Sequence, residues 1–164
     1  MMFARLLRRW LLCMAATLTL LTLSCASNSQ AVLPPATDLA ADAVESKRTG
    51  APLIVMLSLQ GCPHCDVVRR SHLLPLLRDP TSIARPIVRQ IEINGTARLR
   101  DFDGSTITYA EFAARHKFNV APVVMFFGNK GEVLAKALVG SMIPEFYGAY
   151  LDAALTEARA NLVR

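Results

Sequence analysis

The two cysteines in the stretch QGCPHCD, residues 60–66, are the side chains most able to do chemistry in this sequence. Cys62 and Cys65 are separated by Pro63 and His64. Thiols at this spacing can form a redox-active pair, supply half of a metal site, or occur together by chance. A disulfide that closes so short a loop constrains the unfolded chain little, so a structural crosslink explains the pair poorly. The spacing therefore favours a reactive role.

The metal-site interpretation lacks ligands. A structural zinc site normally has four, often from two similarly spaced pairs, and the sequence holds no second Cys-x-x-Cys. His72 and His116 could be recruited, but nothing in their spacing indicates a site. Covalent haem attachment needs a histidine directly after the second cysteine, and Asp66 stands there. We therefore predict a redox pair without metal or other cofactor, and keep a metal-chaperone or binding module as an alternative.

The residues before the cysteines predict how they are held. The run 53–59, LIVMLSL, is apolar without alternation, as in a buried central strand. Gly61 marks a turn, and Pro63 suits the first turn of a helix, where its missing N–H costs nothing. The Cys62 thiol would then lie at the positive end of that helix, which lowers its pKa and makes it a nucleophile. Cys65, one turn later, would resolve the mixed disulfide.

His64 is the residue between the cysteines that could tune them. A protonated imidazole adds positive charge near the Cys62 sulfur, which favours the reduced form and makes the pair more oxidising. The alternative for His64 is a solvated side chain without influence on the thiols. Arg69 and Arg70, in the same predicted helix, are expected on a solvated face.

The rest of the sequence predicts alternating helices and strands. We expect helices over 38–48, over 66–74, from an N-cap at Asp79, over 108–117 and over 144–161, and strands over 87–93, 121–127 and 132–139. Pro75 is expected to kink or end the second of these helices. Residues 95–107 are predicted to be a polar loop, and Thr108 with Glu111 forms a capping box. Alternating units followed by a terminal hairpin imply an α/β fold, with a central mixed β-sheet flanked by helices.

The first 31 residues have the pattern of a secretory signal peptide. Arg5, Arg8 and Arg9 precede the uncharged run 10–23, which is shorter than the roughly 20 residues of a membrane-spanning helix. Export predicts a periplasmic location. It also places the cysteines where disulfides persist.

The end of the signal peptide can be interpreted in two ways. Cleavage after Ala26 or Ala31 follows small residues, whereas lipidation of Cys25 would tether the chain to a membrane. We expect a linker over residues 32–37 and one domain over 38–164. Because Cys13 and Cys25 are removed or consumed, that domain would keep one pair of thiols.

The charge excludes one class of partner. The chain carries 18 basic and 13 acidic residues, a net charge of +5. Three arginines lie within the first 31 residues, so the exported part keeps 15 basic against 13 acidic residues, a net charge of +2. There is no basic run and no basic–aromatic interleaving, so we predict no nucleic-acid binding.

This organisation resembles the thioredoxin superfamily. The matching features are CPHC after a buried strand, Ala121-Pro122 before a later strand, the hairpin and the final helix. The resemblance implies a thioredoxin fold in which Cys62, Pro63, His64 and Cys65 form the catalytic motif. It also implies that Pro122 is cis and that Ala121 and Pro122 contact the substrate.

Within that superfamily, GCPHC, DFDG and GSMIPEFYGAYL look like exported thioredoxin-like proteins of the SoxW type, which are reduced from the membrane and associated with sulfur oxidation. Met56 and Ser58 stand where cytoplasmic thioredoxin has an acid and a tryptophan. The Pro-His dipeptide matches the periplasmic oxidant DsbA, but residues 95–107 are too short for the helical insertion of DsbA.

The expected function is therefore an exported thiol–disulfide oxidoreductase that reduces disulfides in periplasmic proteins. Its expected partners are protein substrates with thiols or disulfides and a membrane electron-transfer protein, and we expect a monomer. A DsbA-like oxidant or isomerase is the alternative that the Pro63-His64 dipeptide favours.

Overall fold

A computed structural model describes residues 32–78, 85–141 and 144–163 of the chain. In chain order its elements are α1 (Leu39–Thr49), β1 (Leu53–Ser58), α2 (Pro63–Val67), a π-helical segment (Val68–Leu73), α3 (Leu74–Arg78), β2 (Ile87–Glu92), β3 (Arg98–Arg100), β4 (Thr106–Thr108), α4 (Tyr109–Arg115), β5 (Val123–Phe127), β6 (Val133–Val139) and α5 (Pro144–Leu162). The predicted signal peptide over residues 1–31 and the helix start at Asp79 lie outside the described residues.

The central sheet has the strand order β2-β1-β5-β6. β2 runs parallel to β1, whereas β5 is antiparallel to both β1 and β6. All six residues of β1 are buried, as its uninterrupted apolar sequence predicted. The predicted α/β fold with a central mixed sheet is confirmed.

The sheet separates two hydrophobic cores, and β1 contributes alternate residues to each. Ile54 and Met56 belong to the first core, which contains Cys65 and the buried side chains of α5. Leu53, Val55 and Leu57 belong to the second core, with residues of α1 and α4. Because helices cover both faces of the sheet, the side chains of β1 have no solvent-facing side, which explains why its sequence does not alternate.

The segment before α1 is part of the fold. The Ala36 N–H donates to the Gln90 carbonyl, and the Gln90 N–H donates to the Pro34 carbonyl, both at 2.9 Å. Leu33 and Ala36 are buried. The prediction of a linker over residues 32–37 is therefore wrong. Its prolines suggested an unstructured stretch, but a strand at a sheet edge tolerates proline wherever the N–H is not needed for pairing.

The polar stretch 95–107 contains a small hairpin rather than only a loop. β3 and β4 pair in antiparallel register, and Leu99 faces Ile107. A turn at Asp101–Gly104 connects them, closed by the Gly104 N–H and the Asp101 carbonyl at 2.9 Å. Strands of three residues are too short to show alternation, which is why the sequence indicated a loop.

The helix after the cysteines passes through Pro75, and Arg78 is its last described residue. We expected Pro75 to kink or end it, and the structure shows a π-helical segment just before the proline. In that segment the Leu74 N–H bonds to the Arg69 carbonyl, five residues back. Proline lacks the N–H of a regular helix and crowds the carbonyl of the preceding turn, and a widened turn is one way to accommodate it.

The capping-box prediction is confirmed at α4. The Thr108 side chain accepts from the Glu111 N–H, and the Glu111 carboxylate accepts from the Thr108 N–H at 2.6 Å. The turn after β5 is also present, because the Gly128 N–H donates to the Glu132 carbonyl at 2.9 Å. Within the described part of the chain, no helix combines the length and the apolar character needed to cross a membrane.

Candidate active site

Cys62 and Cys65 form a disulfide, with their Cα atoms 5.2 Å apart. Cys62 lies just before α2 and is partly exposed, whereas Cys65 lies inside the helix and is completely buried. A bulky protein substrate can approach the first sulfur but not the second. This difference in exposure matches the predicted roles of attacking and resolving thiol.

Cys62 is the N-cap of α2. Its Sγ accepts a hydrogen bond from the Cys65 N–H at 3.1 Å, and its carbonyl accepts from the Asp66 N–H at 3.1 Å. Pro63 is the first helical residue, as predicted. When the disulfide is reduced, an N–H aimed at the sulfur favours the thiolate over the thiol. The local fold therefore prepares Cys62 as the nucleophile.

His64 is exposed, and its ring contacts a residue far along the chain. Nδ1 of His64 lies 3.2 Å from Oγ of Ser141, which is 8% exposed and follows β6. Sequence reasoning missed Ser141, because no local pattern connects a serine at the end of β6 to the Pro-His dipeptide. The position of Ser141 beside the motif depends on the packing of the whole sheet.

The Ala121–Pro122 peptide bond is cis, as the resemblance implied. The Pro122 carbonyl accepts a hydrogen bond from the Gly140 N–H at 2.8 Å. Ala121 and Cys62 both pack against the first core. The loop before β5 is thus bonded to Gly140, the residue before the serine that contacts His64. The substrate contacts implied for Ala121 and Pro122 stay a prediction.

Arg69 does not belong to a solvated helix face, and that expectation was wrong. Its side chain is 13% exposed. Nε donates to Oε1 of Gln90 at 2.8 Å, Nη2 to Oγ of Ser58 at 3.3 Å, and Nη1 to the Asp66 carboxylate. Arg70, the next residue, is exposed as predicted. The i,i+3 spacing of Asp66 and Arg69 was the one local signal for this cluster.

The described residues place no buried carboxylate in the first core. Met56, at the position where cytoplasmic thioredoxin has an acid, is completely buried and pairs with Gln90. The buried carboxylates of the described residues are Asp42 and Asp101. Asp42 is bonded to Arg89 at 2.9 Å, and burial raises the pKa of its carboxyl although this arginine opposes the shift. Asp101 is bonded to Arg115 of α4 at 2.6 Å.

The other two histidines pack against aromatic rings. His72 lies 4.8 Å from the Tyr147 ring, measured between centroids, and His116 lies 4.5 Å from Phe112 and 5.1 Å from Phe127. Burial lowers the pKa of both imidazoles. The described ranges contain no group of three or more His, Cys, Asp or Glu side chains arranged to hold a metal ion.

Comparisons with known proteins give likenesses at low identity. No family model matches the sequence. No curated protein matches it either. Trxlp from Edwardsiella tarda EIB202 is 21% identical, with 73% of this chain and 98% of that chain covered, at a TM-score of 0.48. Mitochondrial thioredoxin 3 from Saccharomyces cerevisiae is 14% identical, with 76% of this chain and 94% of that chain covered, at a TM-score of 0.47. A thioredoxin-fold protein from Helicobacter pylori is 14% identical, with 70% of this chain and 83% of that chain covered, at a TM-score of 0.45.

The fold assignment rests on the chain's own topology. The sheet pairs β1 with a parallel β2 and with an antiparallel β5 and β6, and helices pack on both faces. The disulfide lies at the start of the helix that follows β1, and a cis-proline precedes β5. The chain therefore has a thioredoxin fold with a Cys-x-x-Cys disulfide.

Proposed function

We propose that this chain is an exported thiol–disulfide oxidoreductase that reduces disulfides in periplasmic proteins. The observation that carries the redox activity is the disulfide between a partly exposed Cys62 and a completely buried Cys65 at the start of a helix. In such a pair the accessible sulfur forms the mixed disulfide with the substrate, and the buried sulfur then resolves it.

The reaction starts from the reduced pair. The Cys62 thiolate attacks one sulfur of a substrate disulfide, forms a mixed disulfide, and releases the other substrate sulfur as a thiolate, which takes up a proton. Cys65 then loses its proton and attacks the Cys62 sulfur. The Cys62–Cys65 disulfide forms, and the second substrate thiolate leaves and is protonated. Two electrons move from the chain to the substrate.

A dithiol electron donor is needed to complete the cycle. It reduces the Cys62–Cys65 disulfide by the same two exchange steps in the reverse direction, and becomes a disulfide itself. We infer that this donor is a membrane protein, because the predicted signal peptide over residues 1–31 directs the chain to the periplasm. The resemblance to exported proteins of the SoxW type supports this arrangement.

The compact 95–107 region supports reduction rather than oxidation as the direction of transfer. It forms only the β3–β4 hairpin, with a turn at Asp101–Gly104. The helical insertion of DsbA has no counterpart in this hairpin. The Pro63-His64 dipeptide favours the opposite direction, because positive charge on His64 would stabilise the reduced form. Oxidation or isomerisation of substrate disulfides is therefore the second candidate.

A turnover assay with a disulfide-containing protein substrate and dithiothreitol tests the activity. The wild-type chain should accelerate reduction, and Cys62→Ser should abolish the acceleration. Ser71→Ala, at an exposed position of the π-helical segment, is the matched control and should behave like wild type. Retained turnover in Cys62→Ser would contradict the mechanism. A stoichiometric bound metal without any exchange would favour the metal-chaperone alternative.

The reduction potential determines the direction. Equilibration with glutathione or dithiothreitol buffers should give a value of about −270 mV for a reductant, as in thioredoxin, or of about −120 mV for an oxidant of the DsbA kind. Export is tested separately, by fractionating cells that express the full chain. Recovery in the cytoplasm with residues 1–31 retained would contradict the proposed location.

A further inference from the structure

Ser141 is held beside the cysteine motif by contacts on two sides. Its Oγ lies 3.2 Å from Nδ1 of His64, across 77 positions of sequence. Gly140, the residue before it, donates its N–H to the Pro122 carbonyl at 2.8 Å. Ser141 itself is 8% exposed. A nearly buried hydroxyl at a fixed backbone position therefore contacts the side chain that separates the two cysteines.

We propose that Ser141 is a positioning residue that orients the His64 imidazole and thereby raises the reduction potential of the Cys62–Cys65 pair. This inference deepens the proposed function and rests on it. It assigns a role in the redox pair to a residue from the opposite end of the domain sequence.

The Ser141 hydroxyl can hold the ring in either protonation state. Both nitrogens of an imidazolium are donors, so Nδ1 of the charged ring needs an acceptor, and the Ser141 hydroxyl oxygen supplies one. The same hydroxyl can donate to Nδ1 of a neutral ring or accept from it. A methyl group at position 141 could do neither, so the ring would lose this anchor.

The contact also fixes where the charge is placed. Pro63 restrains the backbone on one side of His64, and Ser141 holds the ring at its other end. Because His64 is exposed, a ring released from Ser141 would turn through solvent and its charge would be screened. A ring held next to the motif stabilises the Cys62 thiolate, which exists only in the reduced protein. The reduced form is favoured, and the reduction potential rises.

A purely structural role for Ser141 makes a different prediction. In that case the hydroxyl would only support the backbone between β6 and α5. Its removal would then lower the free energy of unfolding whether or not His64 is present. It would not change the potential through the imidazole. The two roles are separated by the dependence of the effect on His64.

The experiment is a double-mutant cycle on the equilibrium with glutathione. In this equilibrium the protein disulfide and two glutathione thiols give the protein dithiol and one oxidised glutathione. The proteins compared are wild type, Ser141→Ala, His64→Ala and the double variant. Ser141→Thr keeps the hydroxyl and should restore the wild-type value. Ser71→Ala is the control for loss of an exposed serine hydroxyl elsewhere.

In the protein that retains His64, we expect Ser141→Ala to lower the equilibrium constant by about threefold to tenfold. This change corresponds to a reduction potential that is lower by roughly 15 to 30 mV. In the His64→Ala background the same change should have no effect. An equal shift in both backgrounds, or no shift in either, would overturn the inference. The absence of any exchange in the wild type would instead overturn the proposed function.

Nitrogen-15 spectra of the His64 ring provide a readout that does not depend on turnover. In the wild type, the Nδ1 resonance should have the chemical shift of a hydrogen-bonded nitrogen, because Ser141 contacts this atom. In Ser141→Ala the Nδ1 resonance should move toward the shift of a free imidazole. An unchanged spectrum in a folded Ser141→Ala protein would contradict the positioning role, and the unfolding midpoint verifies that the variant is folded.

Discussion

The guanidinium of Arg69 lies 3.3 Å from the Ser58 hydroxyl, so the helix that carries the cysteines is bonded to the end of the central strand. The same side chain bonds to Gln90 in β2 at 2.8 Å. Ser58 and Gln90 are both buried, and water cannot readily replace the arginine at either of them. The position of the π-helical segment that continues α2 therefore depends partly on the polar contacts of one arginine side chain.

Replacing Arg69 should destabilise the fold. Arg69→Ala leaves the Gln90 and Ser58 side chains without this donor in a buried environment, and we expect a loss of about 2 kcal/mol in the free energy of unfolding. Arg70→Ala, at the adjacent exposed position, is the matched control and should change it by less than about 0.5 kcal/mol. Urea denaturation measures both. Equal effects in the two variants would contradict a specific role for Arg69.

The residues before α1 should be required for stability. A chain that begins at residue 38 lacks Leu33 and the Ala36–Gln90 backbone contact, and we expect it to lose about 3 kcal/mol or more relative to a chain that begins at residue 32. Thermal or urea unfolding of the two chains checks this expectation. If both unfolded at the same denaturant concentration, the segment would be a linker after all.

Replacing the buried Cys65 should trap substrates on Cys62. In Cys65→Ser the Cys62 thiolate can still attack a substrate disulfide, but no internal thiol remains to release the product. We expect a stable mixed disulfide between this variant and its substrate, seen as a reducible shift on a non-reducing gel. Cys62→Ser should give none, because the remaining thiol is completely buried. Comparable adducts from both variants would contradict the assigned order of attack.

The partly buried His116 should make stability depend on pH. Burial between Phe112 and Phe127 lowers the pKa of the imidazole from its ordinary value of 6.5, and the nearby Asp101 opposes this shift only in part. Below pH 6.5 the unfolded chain therefore binds a proton more readily than the folded one. The free energy of unfolding should fall as the pH decreases through this range.

His116→Leu should reduce this pH dependence, because the leucine cannot titrate. Urea titrations of the wild type and the variant over a pH series provide the comparison. His72, whose pKa burial also lowers, should contribute in the same direction, so a variant that lacks both imidazoles should show a still smaller slope. A slope of the opposite sign in the wild type would contradict this account.

The stability that the capping box gives to α4 should be lost in the acidic range. Two hydrogen bonds from Thr108 hold the pKa of the Glu111 carboxyl below its ordinary value of 4.5. The larger effect comes from the Thr108 N–H and the smaller one from its hydroxyl. The ionised carboxylate therefore stabilises α4 above pH 4.5, and this contribution is lost as the pH falls through the lowered pKa. Glu111→Gln should be less stable than wild type at neutral pH, and the difference should shrink in acid.

Glu157→Gln, at an exposed position in the middle of α5, is the control for removing a carboxylate without removing a cap. Chemical denaturation at neutral and acidic pH gives both differences. If Glu157→Gln showed the same pH dependence as Glu111→Gln, the effect would come from net charge rather than from the capping box.

Local patterns in the sequence were enough to predict the parts of the site that are close in the chain. The apolar run of β1, the turn at Gly61, the helix start at Pro63 and the capping box at Thr108 each depend on interactions within a few residues. These elements place Cys62 and Cys65 correctly, and the order of elements predicted the mixed sheet.

The contacts missed by sequence reasoning join distant segments. Ser141 reaches His64 only because the end of β6 lies next to the loop of Pro122. Arg69 is largely shielded from solvent because Ser58 and Gln90 lie beside it on neighbouring strands. Periodicity along one segment contains no information about such neighbours, since they depend on the register and order of strands. The partners of polar side chains were therefore less predictable than the elements that carry them.

Burial of Leu33 limits how far a membrane-anchored form of this protein could extend. In a chain lipidated at Cys25, only residues 26–32 would connect the lipid to a segment that is part of the sheet. Even a completely extended chain of these seven residues reaches about 25 Å. The domain of a lipidated molecule would therefore remain within this distance of the bilayer surface, where it could meet integral-membrane redox partners by lateral diffusion, and soluble clients would have to diffuse to the membrane to meet it.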